Sequence, residues 1–153
     1  MLLQESTTVE LSPAVALRRL SRCLTAERLQ SAARCAVDVG LAPLLGTHAS
    51  TVGEDLAVQT VAAYPRGGTT VLPMRWSALG TPTQTPQAYL DANLELDQAP
   101  DGTTRLTLVG SYLPPRQLSD APVSRSAVRQ AAQATLTAFL LSLRQLLTSA
   151  SPG

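Results

Sequence analysis

From Leu90 to Asp97 the chain alternates without a slip: Leu90, Ala92, Leu94 and Leu96 fall on one side, Asp91, Asn93, Glu95 and Asp97 on the other. A period of two with one apolar side predicts a half-buried strand. The tetrapeptide APDG follows. In it Pro100 presets φ at the second turn position, and Gly102 accepts the positive φ required by a type I turn with a bulge. Such a turn sets Ala99 opposite Thr103, and it pairs Asp97 with Arg105, Leu96 with Leu106, Glu95 with Thr107, Leu94 with Leu108 and Leu90 with Tyr112. Like meets like on these rungs. A slip of one residue would turn Leu106, Leu108 and Tyr112 to water, so turn chemistry and pattern select one register.

The same reading extends along the chain. Ser6–Leu11 predicts a short strand, and Ser12 then caps a helix whose first position is Pro13, where a missing N–H costs nothing. A second helix is predicted from Thr25 to the residue before Gly40, with Leu29, Ala33, Ala36 and Val37 on its apolar side. From Leu56 to Tyr64 the period returns to two, with Leu56, Val58, Thr60, Ala62 and Tyr64 sharing a face, and PRGG turns the chain. The strand TTVLPMRWSA places Leu72, Met74 and Trp76 on one face and Val71, Pro73 and Arg75 on the other. Pro73 lacks the N–H a ladder needs, which predicts an edge or an irregularity. One more short strand is expected within Leu44–Gly53, and Thr81–Gln87 reads as a polar loop. A long terminal helix is expected over Ala121–Thr148, capped by Asp120. Its stripe is Val128, Ala132, Thr135, Phe139, Ser142 and Leu146, widened by Ala131, Leu136, Leu143 and Leu147.

This order predicts an α+β fold in which a curved antiparallel sheet grips a long C-terminal helix, with two short helices after the first strand. With 153 residues the chain is read as a single domain over 1–153. No apolar run is long enough for a membrane span, and the first ten residues lack the pattern of a signal peptide, so a cytoplasmic protein is expected. Cys23 and Cys35 are too few for a disulfide framework and read as free thiols, at least partly buried. With His48 the only histidine, no metal or cofactor is expected. The chain has no lysine, so its twelve cations are all arginine, which points to high-G+C, bacterial coding. A net charge of +1 spread along the chain provides no footprint for nucleic acid. The densest basic group, Arg18, Arg19 and Arg22 followed by Arg28 and Arg34, reads as a solvated helix face or as a surface for an anionic headgroup or partner.

The order of elements, the phrases LPMRWSA and LDANLELDQAPDGTTRLTLVGSYLPP, and a terminal helix containing TLTAFL resemble the START-related superfamily, which includes lipid-transfer domains and polyketide cyclases. The resemblance implies a helix-grip fold with a small hydrophobic molecule held between sheet and helix. It would make Val58, Met74, Trp76, Leu94, Leu108 and Tyr112 the wall of the site and Leu136, Phe139 and Leu143 its roof. With only five aromatic residues, such a wall suits a lipid-like or polycyclic guest.

Each of these positions reads equally well as packed core. Trp76 carries the added demand that a buried indole N–H find an acceptor, for which a backbone carbonyl is expected. Asp97 and Arg105 read as an exposed cross-strand pair. With no nucleophile–base set, phosphate loop or ligand cluster, binding of a hydrophobic molecule leads. A polyketide cyclase or aromatase using Tyr112, Arg75 or His48 is the enzymatic alternative. A protein-interaction module without a guest is the third.

Overall fold

The computed structural model describes residues 1–23, 26–46, 49, 56–78, 88–113 and 123–149, apart from the side chains of 23, 26, 78 and 88. In chain order they form β1 (Leu2–Val9), α1 (Pro13–Cys23), α2 (Ala26–Leu45), β2 (Leu56–Thr60), β3 (Tyr64–Arg66), β4 (Thr69–Ala78), β5 (Ala88–Gln98), β6 (Thr104–Tyr112) and α3 (Arg125–Ser149). The six strands make one antiparallel sheet of order β1-β6-β5-β4-β2, with β3 also pairing β4. All three helices and the inner face of the sheet share one buried apolar cluster. This is the helix-grip arrangement expected from the order of elements.

The β5–β6 hairpin has the register read from its alternation. Leu90 faces Tyr112, Leu94 faces Leu108, and Asp97 faces Arg105. At its turn the Ala99 N–H donates to the Thr103 carbonyl at 2.8 Å, and Gly102 sits at φ 86°. Asp101 accepts from both the hydroxyl and the N–H of Thr103, and these bonds hold its carboxyl below the usual aspartate value. On the outer face Asp97 accepts from the Thr69 hydroxyl, and the ion pair found there joins Arg66 to Glu95 at 2.5 Å.

Several boundaries differ from the sequence reading, each for an identifiable reason. The first strand is Leu2–Val9 rather than Ser6–Leu11, because β1 follows β6 from Leu2↔Ser111 to Val9↔Thr104. Its inward positions are Leu3, Glu5, Thr7 and Val9, and the two polar ones hide the alternation. Helix α2 does not stop before Gly40. A Cβ at Gly40 would come within 2.7 Å of the Thr135 backbone, so this glycine lets α2 press onto α3. The terminator is Gly46, at φ 56°, whose N–H donates to the Ala42 carbonyl. Pro43 lies inside the helix and deprives Val39 of a donor, and Val39 is exposed, so water can serve its carbonyl. Leu44 and Leu45 are therefore helical. The rest of the strand expected in Leu44–Gly53, like the loop at 81–87, falls almost wholly outside the described residues. Helix α3 begins at Arg125 because Ser124 caps it, its Oγ accepting from the Ala127 N–H at 3.1 Å. Asp120 lies outside the described residues.

The expected single strand Leu56–Tyr64 is two strands. Thr60 pairs with Met74 and Tyr64 with Val71, so Val61, Ala62 and Ala63 stand against only Leu72 and Pro73. The Val61 N–H donates to the Pro73 carbonyl, which shows that the backbone polar side of Pro73 faces this break. A strand residue aims N–H and C=O the same way, so the donor Pro73 lacks is missing there. The extra residue moves Tyr64 to the outer face, where it pairs with the buried Val71, contrary to its expected place beside Leu56 and Val58. Pro73 is thus at an irregularity within the sheet and not on its edge.

Cys35 is an exposed free thiol, contrary to the expected partial burial, because it lies on the outward side of α2. The side chain of Cys23 falls outside the described residues. No helix is long and apolar enough to cross a membrane among those residues.

Candidate functional site

The inner face of the sheet builds the candidate site in rows. One runs Val58–Trp76–Leu90–Tyr112 across β2, β4, β5 and β6, and another runs Leu72–Leu94–Leu108. Met74 lies between them, opposite Ala92. Helix α3 covers these rows with Leu136, Phe139 and Leu143, each at most 1 % exposed. All nine residues taken from the sequence as wall and roof fall in the same buried cluster. Phe139 meets Trp76 in a T-shaped pair, with ring centroids 4.9 Å apart at 81°.

The expected backbone acceptor for the indole is not there. Trp76 is fully buried, and its Nε1 has no hydrogen-bond partner among the described residues. Its rung partners, Val58 and Leu90, have apolar side chains and supply no acceptor.

One neighbour of this row escaped sequence reasoning. Between the rungs Trp76↔Leu90 and Ser77↔Ala88, strand β5 holds one residue more than β4, and that residue is Tyr89. A strict period of two carries Tyr89 to the wet face with Asp91. The bulge places it instead in the buried cluster, near enough to Tyr112 to perturb its titration. No residue in the alternating stretch signals this. Thr135, on the stripe expected of the terminal helix, is fully buried on α3, with its hydroxyl donating to the Ala131 carbonyl at 2.8 Å. Leu140 is also buried, while Ser142 and Leu146 of the expected stripe are only half-buried.

Tyr112 is 2 % exposed, and desolvation, with a smaller contribution from Tyr89, raises its phenol far above the ordinary value. It is therefore a neutral proton donor at any physiological pH. Arg75 is exposed on the outer face, between Gln59 and Asp91, and does not reach the inner rows. His48 lies outside the described residues. Of the three groups weighed for a cyclase, only Tyr112 is found at the site.

Three cavities bordered by described residues lie around this core, and none is lined by the nine residues above. One of about 380 Å³ runs between α2 and α3 near Arg28 and Gln145. Another of about 250 Å³ opens between α1 and the β2–β3 break, and it reaches the core at Leu20 and Leu72. A third of about 230 Å³ lies between the end of α2 and the start of α3, at Pro43 and Ala134. Among the described residues no group of three His, Cys, Asp or Glu side chains could hold a metal ion.

Comparison with known proteins returned no matching family model and no matching curated protein. Among solved structures, TTHA0849 from Thermus thermophilus aligns over 99% of this chain and 100% of its own, with a TM-score of 0.43 at 16% identity. Ara h 8.0201 aligns over 98% of this chain and 99% of its own, with a TM-score of 0.38 at 12% identity.

Proposed function

We propose that residues 1–153 are one START-like domain, cytoplasmic, that binds a small hydrophobic molecule between the sheet and α3 through the nine residues of the inner rows and roof. The observation that supports this reading is the orphaned indole N–H of Trp76 in the middle of that face. A buried donor without an acceptor costs roughly 1 to 3 kcal/mol. A guest presenting a carbonyl or ether oxygen would recover that cost. The groups around the indole are uncharged, namely aliphatic side chains, the Phe139 ring and the neutral phenol of Tyr112, so a bound carboxylate would lack a counter-charge. The guest is accordingly neutral, lipid-like or polycyclic, and it carries an acceptor. Phe139 gives way to admit it, and the cavity beside Leu20 and Leu72 is the route inward.

Trp76 is the only tryptophan, so its emission reports on the site. Titration with a neutral polycyclic ketone is expected to change that emission saturably and to raise the melting temperature. A guest at a hundred times its dissociation constant adds about 2.7 kcal/mol. Trp76→Phe removes the donor and keeps an aromatic ring. It is expected to weaken the ketone's thermal shift while sparing that of the parent hydrocarbon. A panel of neutral lipids, sterols and polycyclic ketones that moves neither emission nor melting temperature would reject the reading.

A further inference from the structure

The charges that are spread along the chain are sorted in space. Helices α1, α2 and α3 carry eight arginines against two acids, Glu27 and Asp38, whereas the strands carry three arginines against four acids, with Asp101 a fifth in the hairpin turn. Arginine-rich coding accounts for the identity of the cations but not for where they stand. Five of the eight stand where the last turns of α3 lie between α1 and α2, while Arg125 and Arg129 lie at the other end of α3 and Arg34 donates to the Leu56 carbonyl. Arg19 of α1 donates to the Leu147 carbonyl of α3 at 2.9 Å, Arg18 and Arg22 share that helix with it, Arg28 of α2 borders the groove shared with α3, and Arg144 is exposed on α3. Glu27 is the acid on these helices at that end.

The groove there, of about 380 Å³, has a mixed lining. Arg28, Ser31, Ser142 and Gln145 offer a cation and donors, while Ala32 and Leu146 belong to or pack against the apolar core. A cationic and hydroxylic rim over aliphatic side chains matches a phosphodiester attached to acyl chains better than a bare polyanion, which has no use for the apolar part. Leu141, 46 % exposed on α3 one turn from Arg144, adds a side chain that can enter the acyl boundary.

We propose that this end of the helical layer docks on an anionic phospholipid surface, with the groove between α2 and α3 taking a lipid headgroup. It does not depend on the interior site. The surface attraction comes from the arginines and is screened by salt within roughly 8 Å at physiological ionic strength.

The test is cosedimentation of the whole chain with phosphatidylcholine vesicles, with equimolar phosphatidylcholine and phosphatidylglycerol, and with a duplex oligonucleotide. The protein is expected to sediment with the anionic vesicles alone and to be released by added salt. Each cation lost near such a surface lowers partitioning about five-fold. Arg18→Glu and Arg28→Glu should each lower it by more than that, with melting temperature unchanged because both side chains are exposed. Arg105→Glu, on the outer face of the sheet, should leave partitioning as it is. Equal binding to neutral vesicles, no binding to either, equal loss in the Arg105 variant, or tighter retention by the oligonucleotide would each overturn the proposal.

Discussion

The two sides of the sheet obey the same alternation and end differently. On the β5–β6 side every rung from Leu90↔Tyr112 to Gln98↔Thr104 is regular. On the β2–β3 side one residue too many is inserted opposite Pro73, and Tyr64 changes face. The difference comes from backbone donors rather than from hydrophobic pattern. In the hairpin, Gly102 supplies the φ that the turn needs and each ladder group has a partner. Opposite Pro73 only the carbonyl can be used, as it is by the Val61 N–H, and the bond a donor at position 73 would make is lost, so the neighbouring strand gains less by staying in step. A period of two therefore predicts register only as far as the hydrogen bonds beneath it can all be made.

The largest effect is expected at Leu108, fully buried on the regular side. Leu108→Asp is expected to cost more than about 4 kcal/mol, read as a loss of denaturant midpoint, because the carboxylate has no partner there. Val61→Asp, in the exposed break, should stay within about 0.5 kcal/mol. Comparable losses for the two would show that the facing is wrong. A smaller effect is expected at Gly110, where an added Cβ would come within 2.5 Å of the β5 backbone. Gly110→Ala should cost roughly 1 to 3 kcal/mol in the same denaturation experiment, by forcing β6 away from β5.

Pro73→Val restores the missing donor. Its new hydrogen bond, worth about 1 kcal/mol, is offset by the greater freedom of the unfolded chain, so stability should change by less than about 1 kcal/mol. The sharper readout is hydrogen exchange, in which a protected amide at position 73 would show that the break closes when a donor is present. An amide that exchanges freely would show that something other than Pro73 sets the break.

The smallest effect concerns the hairpin turn. Hydrogen bonds from Thr103 lower the Asp101 pKa from its ordinary value of 3.8, so the stability they contribute is present above that value and is lost as pH falls through the folded-state pKa. Thr103→Val should raise the Asp101 midpoint in an NMR titration and flatten the acid-side decline. An unchanged midpoint would mean that the hydroxyl does not hold the carboxylate.

Much of this architecture could be read from residues because it rests on local rules. Ser12 with Pro13 opens α1, APDG sets the hairpin, and the Leu72, Met74, Trp76 face is as expected. What could not be read depends on contacts distant in sequence. Gly40 looks like a helix end until Thr135 is seen against it, and Tyr89 looks solvent-facing until β4 is set beside it with one residue fewer. Thr107 does follow its alternation to the outer face, yet it is buried there and shares a hydrogen bond with Ser6. The nine residues of the candidate site were all legible as an inward face. The orphaned indole N–H was not, since the absence of an acceptor is a property of the whole neighbourhood.

The pairing of β1 with β6 bears on how the chain reaches this state. Ser6 and Thr107 are 101 residues apart, and Arg19 reaches a carbonyl 128 residues away on α3. Closing such loops costs entropy before the contacts return anything, which slows folding. During synthesis the first strand emerges early and has no neighbour until β6 follows. The β5–β6 hairpin needs only its own turn, whereas the contacts of β1 and α3 join parts of the chain far apart in sequence. The apolar side chains Leu3 and Val9 have no cover until both β6 and α3 have been made, so the interval from synthesis of β1 to synthesis of α3 leaves them open to aggregation.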